Sequence, residues 1–276
     1  MSFTALQGAQ ARRARAEENR RSGRAILNTT LRTLASALVS AAFGASLFYG
    51  YRSASTSDVF ALRNVRFVGL VHATESELLA RSGLKVGDNL IRADLLAAAH
   101  GIESHPWVLA ARITRKLPGS LEVAVVEHRP AALVQMGGLY VLDEQGKLFK
   151  RASPSDGLDL PIVSGLSRER GALVDPSREL RLLHALHFLD TWREAGFLVS
   201  DLSELRLEDE DAVTVFARDG GSTQEVRLGS KDWPLSLRRL ASMRSLLARR
   251  GEHATKIDLD NPARPSEAAA TLAEKR

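Results

Sequence analysis

The chain has 276 residues, 44% hydrophobic and 26% charged, a balance that excludes wholesale disorder. It contains no cysteine, which excludes disulfide bridges, thiolate metal sites and a cysteine nucleophile. The net charge of +5 resides in residues 1–32, where Arg12, Arg13, Arg15, Arg20, Arg21, Arg24 and Arg32 face only Glu17 and Glu18; residues 33–276 carry 31 basic and 31 acidic side chains. Charge confined to a leader beside an apolar run speaks of membrane orientation, not of nucleic-acid binding.

Thr33 to Tyr51 is a run of 19 residues without a charge, fenced by Arg32 and Arg52. As a helix it spans about 28 Å, close to the hydrocarbon thickness of a bilayer. Phe48, Tyr49 and Tyr51 gather at its C-terminal end, where amphipathic rings favour the interface. The expectation is a single-pass type II anchor, with residues 1–32 as a cytoplasmic tail and the rest on the far side. A cleaved secretory signal and a buried soluble helix are the rivals.

A Ser/Thr linker, residues 52–61, leads to an alternating strand, Val65–Val68, that stops at Gly69. Thr74-Glu75-Ser76-Glu77 reads as a capping box opening a helix through Arg81. Asn89 is the expected cap of a second helix, Leu90 to about Ser104. Two strands, Val108–Arg115 and Ser120–Glu127, follow, joined by Leu117-Pro118-Gly119. Pro130 ends this module, which spans 62–130.

His105-Pro106-Trp107-Val108, Arg115-Lys116-Leu117-Pro118 and Glu127-His128-Arg129-Pro130, at this spacing, resemble the polypeptide-transport-associated (POTRA) domain, and more narrowly that of the bacterial division family FtsQ/DivIB. Trp107 reads as an apolar anchor at a strand start, Pro118 and Gly119 as the makers of the turn.

From Ala131 the chain reads mostly as β. Leu139–Leu142 and Lys147–Phe149 form a hairpin around Asp143-Glu144-Gln145-Gly146, and Leu160–Gly165 is a short extended piece. Pro176 to about Ala195 reads as a helix burying Leu182, Ala185, Leu186, Leu189 and Trp192. Leu205–Leu207 and Ala212–Ala217 pair across Glu208–Asp211, and Asp219–Ser222 turns into Glu225–Leu228. Asp232 caps a helix that Gly251 ends, and Lys256–Leu259 is a last strand.

The tyrosine hairpin, Leu-Pro-x-x-x-Gly, the late helix and Ile-Asp-Leu resemble the β domain of FtsQ/DivIB. The fold class is therefore α+β: one transmembrane helix, a βααββ POTRA domain, and a mostly antiparallel β domain with two helices over 131–261. The family's further terminal strand is interrupted here by Pro262 and Pro265, which cannot donate to a ladder, so that strand is expected to be shortened, displaced or absent. Residues 262–276 are expected to be a flexible tail.

No catalytic constellation stands out. His184 and His187, at i, i+3 spacing, lack a third ligand in the pattern, and Asp209-Glu210-Asp211 reads as a solvated turn. Asp219-Gly220-Gly221-Ser222 reads as hairpin geometry rather than a phosphate cradle. Arg238, Arg239, Arg244, Arg249 and Arg250 read as a solvated helix face. No enzyme activity, cofactor, metal, nucleic acid or small-molecule substrate is expected.

The resemblance implies a scaffold of the divisome in the bacterial inner membrane, at the septum. Its periplasmic β domain would engage FtsB- and FtsL-like proteins and help bring an FtsW/FtsI-like peptidoglycan synthase to the site. Partner contact is expected on an edge strand: Thr255, Lys256, Ile257, Asp258, Leu259, Asp260 and Asn261. The alternative is a POTRA-bearing component of envelope protein assembly or secretion.

Overall fold

The computed structural model describes residues 31–166, 176–208, 212–219, 221–230, 232–260 and 268–273. The leader up to Thr30, the Asp209–Asp211 turn, Gly220, and Asn261 with Pro262 and Pro265 lie outside the described residues.

Helix α1, Leu31–Thr56, contains the apolar run; its most apolar 18 residues have a mean hydropathy of 1.4, and none of them is buried. An exposed apolar helix of 26 residues is long enough to cross a bilayer. It also absorbs the first part of the expected linker, which is helical to Thr56 and continues as a 3-10 turn at Asp58–Phe60.

Then come β1 (Asn64–Val68), α2 (Glu75–Ser82), α3 (Leu95–Glu103), β2 (Val108–Lys116) and β3 (Ser120–Glu127), in the expected βααββ order. The sheet order is β1-β3-β2. The remaining strands are β4 (Pro130–Gln135), β5 (Leu139–Asp143), β6 (Leu148–Arg151), β7 (Ile162–Ser164), β8 (Leu202–Leu207), β9 (Val213–Asp219), β10 (Ser222–Gly229), β11 (Ala254–Asp258) and β12 (Ala269–Leu272). Helix α4 (Pro176–Glu194) precedes β8, and α5 (Trp233–Arg250) precedes β11.

Two compact units divide the chain. The first holds the described chain up to Arg66, Gly83–Ala98 and Ile113–Val123; the second holds Phe67–Ser82, Ala99–Arg112 and the chain from Ala124.

In the first unit, Leu62, Leu90 and Leu121 form a buried core, with Val65, Leu84, Leu95 and Ile113 against it. Here α3 begins later than its apolar pattern predicts. Asp94 Oδ1 accepts from Leu96 N at 3.1 Å and Ala97 N at 3.0 Å, so Asp94, not Asn89, caps the helix. Asn89 is occupied elsewhere. Arg115 of the Arg-x-x-Pro motif donates through Nε to Leu90 O (2.7 Å) and through Nη2 to Ala93 O (2.8 Å), fixing the segment that enters α3.

In the second unit the capping box at α2 forms as expected: Thr74 N donates to Glu77 Oε2 at 3.1 Å, and Glu77 N to Thr74 Oγ1 at 3.4 Å. Gly101 faces Arg81 O so closely that a Cβ would not fit, which explains a glycine inside α3.

Four rings stack in series in this unit. His72 lies on Trp107 (centroids 3.9 Å apart), Trp107 beside Phe149 (5.2 Å), and Phe149 on His128 (4.4 Å). Each terminal imidazole meets a carboxylate, His72 Nδ1 with Glu127 at 3.1 Å and His128 Nδ1 with Asp143 at 2.7 Å. Trp107 is 6% exposed and Lys150 Nζ sits 4.9 Å over its ring. His105 packs beneath, its Nδ1 accepting from Trp107 N at 3.3 Å; burial lowers its pKa despite the nearby Glu77 carboxylate.

Glu127, of the Glu-x-x-Pro motif, accepts from the backbone N–H of Val71, His72 and Ala73 at 2.8–3.0 Å. Burial alone would raise its pKa, but these bonds and His72 outweigh it and hold the carboxyl below the ordinary range. Because the folded pKa lies below the unfolded one, the carboxylate stabilises the fold at higher pH, and this is lost as pH falls through the lowered value. Glu127→Gln is therefore expected to cost roughly 1–3 kcal/mol at pH 7, a gap that narrows below about pH 4. Urea midpoints of both proteins across pH 3–7 check this; a gap that is the same at every pH counts against it.

The large sheet has the order β12-β11-β10-β9-β8-β7-β4-β5-β6. Pairs β4–β7, β7–β8 and β10–β11 are parallel; the other five are antiparallel. The expected hairpins form: Leu207 pairs with Val213, and Gly146 adopts the left-handed φ of 86°. Asp143 Oδ1 holds that turn by accepting from Gln145 N and Lys147 N. Helices α4 and α5 pack on each other and on β8 and β10. Phe188, Trp192, Leu237 and Leu240 are wholly buried, and the indoles of Trp192 and Trp233 donate to Leu198 O and Gly229 O, both at 3.1 Å.

Candidate partner-binding edge

The residues expected to recruit a partner lie on and after β11. This strand runs parallel to β10, with Glu225, Val226 and Arg227 opposite Lys256, Ile257 and Asp258. Ile257 and Leu259 are buried, at 0% and 5% exposure, and hold the strand to the core. Leu259 N donates to Arg227 O at 2.9 Å, and Lys256 Nζ meets Glu225 Oε1 at 2.9 Å. The Asp260 carboxylate fills the space where Gly229 (φ 72°) would carry a Cβ, so any side chain there would collide with it.

One expectation is corrected. β11 is not the edge of the sheet, because β12 covers it: Lys256, Ile257 and Asp258 pair with Thr271, Ala270 and Ala269, and Thr255 Oγ1 donates to Thr271 O at 3.3 Å. Residues 269–272, expected in a flexible tail, thus form the displaced terminal strand beyond the prolines. All four are exposed, Leu272 at 48%, and among the described residues β12 is the last strand of the sheet. The opposite end is β6, where Lys150 Nζ is bound to Asp156 Oδ1 at 2.6 Å.

Behind the edge lies a polar relay that the sequence pattern hid. Gln224, fully buried, donates through Nε2 to Ala254 O, the first residue of β11, at 3.0 Å, and its Oε1 accepts from Arg244 Nε at 2.9 Å. Arg244 also lies 5.5 Å from the Phe197 ring and 3.9 Å from Asp219. Burial lowers its pKa against the pull of Asp219 and Asp201. The solvated face expected for the α5 arginines is therefore corrected at Arg244, while Arg249 and Arg250 are exposed in the last turn, where cations favour the helix dipole.

The histidine pair packs against an indole. The rings of His184 and His187 lie 4.6 and 5.8 Å from that of Trp233. Among the described residues, no group of three His, Asp or Glu side chains is placed to hold a metal ion.

An N-terminal apolar helix long enough to cross a membrane, a βααββ module and a long mixed sheet define a POTRA-plus-β protein. Family models agree with the two modules. Residues 60–128 match the POTRA domain, FtsQ-type, and residues 132–260 match cell division protein FtsQ/DivIB, C-terminal. The chain is 40% identical over 244 residues to cell division protein FtsQ of Anaeromyxobacter sp. (strain K), covering 88% of this chain and 82% of that one. It is 45% identical over 213 residues to that of Myxococcus fulvus (76% and 73%), and 28% identical over 236 residues to that of Geobacter sp. (strain M21) (85% of each). The chain belongs to the FtsQ/DivIB family of cell division proteins.

Proposed function

We propose that this protein is a non-enzymatic scaffold of the divisome that joins early and late division proteins by capturing FtsB- and FtsL-like partners through strand addition at β12. The observation that carries the reading is β12 itself, four exposed residues that form the last strand of the sheet among the described residues and present an edge for pairing with another chain. Thr255 and Lys256, exposed on β11 beside it, extend the contact surface; Ile257 and Asp258 pair with β12, and Leu259 and Asp260 follow them along the same segment, Leu259 bonded to Arg227 O. Asn261, which lies outside the described residues, remains in the proposed contact by its place in the sequence.

The domain plan is a basic cytoplasmic tail (1–32), the anchor (33–51), a linker (52–61), POTRA (62–130), the β domain (131–261) and a C-terminal segment (262–276). The arginine-rich leader supports a cytoplasmic N-terminus and a periplasmic C-terminal part in the inner membrane. Recruitment of an FtsW/FtsI-like synthase would follow from the partners so captured. A non-enzymatic role is supported by how the motif side chains are used: Trp107 in the ring stack, Arg115 and Glu127 on backbone groups. A fluorescent fusion in growing cells is expected to form a midcell band; even distribution around the periphery would contradict the reading.

A further inference from the structure

We infer that Asn89 clamps the first unit to the end of the membrane helix and so holds loop 85–92 against the phospholipid headgroups of the outer leaflet, as a lipid-contacting surface. The inference rests on the reading of α1 as a membrane span.

Helix α1 does not end in a flexible tether. Ser57 N donates to Ala54 O at 3.3 Å, and the 3-10 turn Asp58–Phe60 passes into an antiparallel bridge between Ala61 and Asn89. Carbonyls at a helix C-terminus lack intrahelical donors. The Asn89 side chain adds a further donor from more than 30 residues away: Nδ2 donates to Ala54 O at 3.1 Å and to Ser57 O at 3.2 Å, while Oδ1 accepts from Ile91 N at 2.9 Å. Backbone bonds flank the clamp, from Leu90 N to Phe60 O (2.8 Å), Leu62 N to Asp88 O (2.7 Å) and Gly87 N to Leu62 O (2.8 Å). The Arg115 guanidinium grips the same loop from its other side, at Leu90 and Ala93.

Depth decides what this clamp faces. Ala54 lies three residues beyond Tyr51, a rise of about 4.5 Å along the helix. The headgroup layer of one leaflet is about 5–7 Å thick. The Ala54–Asn89 bond therefore lies within that layer, and the turn Lys85–Asp88, a few residues away, is held beside it.

The chemistry of the loop suits that position. Val86 is 76% exposed at the turn, and Val59, on the 3-10 turn, is 54% exposed. Lys85 and Arg92 are exposed on the loop; their stems can lie along the interface with the charges on phosphates. The Asp88 carboxylate is half-exposed and accepts from Lys85 N at 2.8 Å within the turn, while Asp58 and Asp94 are exposed. The occupant is a phospholipid surface because the clamp is continuous with the segment that spans it.

The absence of cysteine makes the test direct. Val86→Cys and Tyr51→Cys each give one spin-label site in the full chain, reconstituted into phosphatidylethanolamine–phosphatidylglycerol vesicles. Oxygen and nickel-chelate accessibility by electron paramagnetic resonance reads depth. A headgroup-level value is expected at position 86 and a bilayer value at 51. Asn89→Asp keeps the acceptor for Ile91 N but loses the donor, and is expected to shift the label at 86 toward the aqueous value with greater mobility. An aqueous value at 86 in the parent chain, with a bilayer value at 51, would overturn the clamp-and-foot inference alone; an aqueous value at 51 would overturn the anchor reading and this inference with it. A value at 86 unchanged by Asn89→Asp would overturn the role of Asn89.

Discussion

Trp107→Ala is expected to destabilise the second unit by about 3–5 kcal/mol, the range for removing a buried tryptophan. The indole is 6% exposed, and it lies between His72 and Phe149 in the four-ring series. Its removal deletes the middle of that series and leaves a cavity bordered by groups that cannot collapse freely, since His72 is tied to Glu127 and His128 to Asp143. Trp107→Phe keeps a ring and should cost clearly less. Stacked or tilted aromatic pairs contribute about 0.5–1.5 kcal/mol beyond area burial, so a double-mutant cycle of Trp107→Ala with Phe149→Ala should show coupling of that size. Urea unfolding followed by circular dichroism measures both. A loss below about 1 kcal/mol for Trp107→Ala would mean that the stack does not hold this part together.

The elements that were legible from sequence are those set by local signals. The box Thr74–Glu77, the hairpin residues Asp143 and Gly146, the cap Asp232 and the stop Gly251 each act within four or five residues, and each appears where its chemistry places it. The apolar spacing of α4 correctly selects Leu182, Ala185, Leu186, Leu189 and Trp192 as buried.

What was hidden depends on partners far along the chain. Asn89 and Asp94 are both good caps, and nothing local says that Asn89 is committed to the carbonyls of Ala54 and Ser57. Arg244 sits in an arginine-rich helix, and only the folded sheet brings Gln224 and Phe197 to it. β12 is the plainest case. Ala269-Ala270-Thr271-Leu272 has little alternation and follows two prolines, so its pairing with β11 is a tertiary fact; Thr271 and Leu272 are its faint local signal.

That strand carries the central claim, and Ala270→Pro tests it. Ala270 lies at the middle of β12, opposite Ile257. Proline removes a backbone donor and disfavours strand continuation. Because β12 is short and exposed, the substitution should leave the core and the unfolding midpoint nearly unchanged. Ile257→Pro is a poor probe by comparison, since Ile257 is wholly buried in β11 and its loss would disturb the sheet itself. An added strand pairing along four residues gains backbone hydrogen bonds of about 1 kcal/mol each, so disrupting it should weaken capture by about 3–4 kcal/mol, or several hundredfold. The measurement is co-purification of FtsB- and FtsL-like proteins with the full chain from detergent-solubilised membranes. The parent chain should retain them and Ala270→Pro should lose them while keeping its circular dichroism spectrum; equal recovery with both proteins would contradict capture at β12.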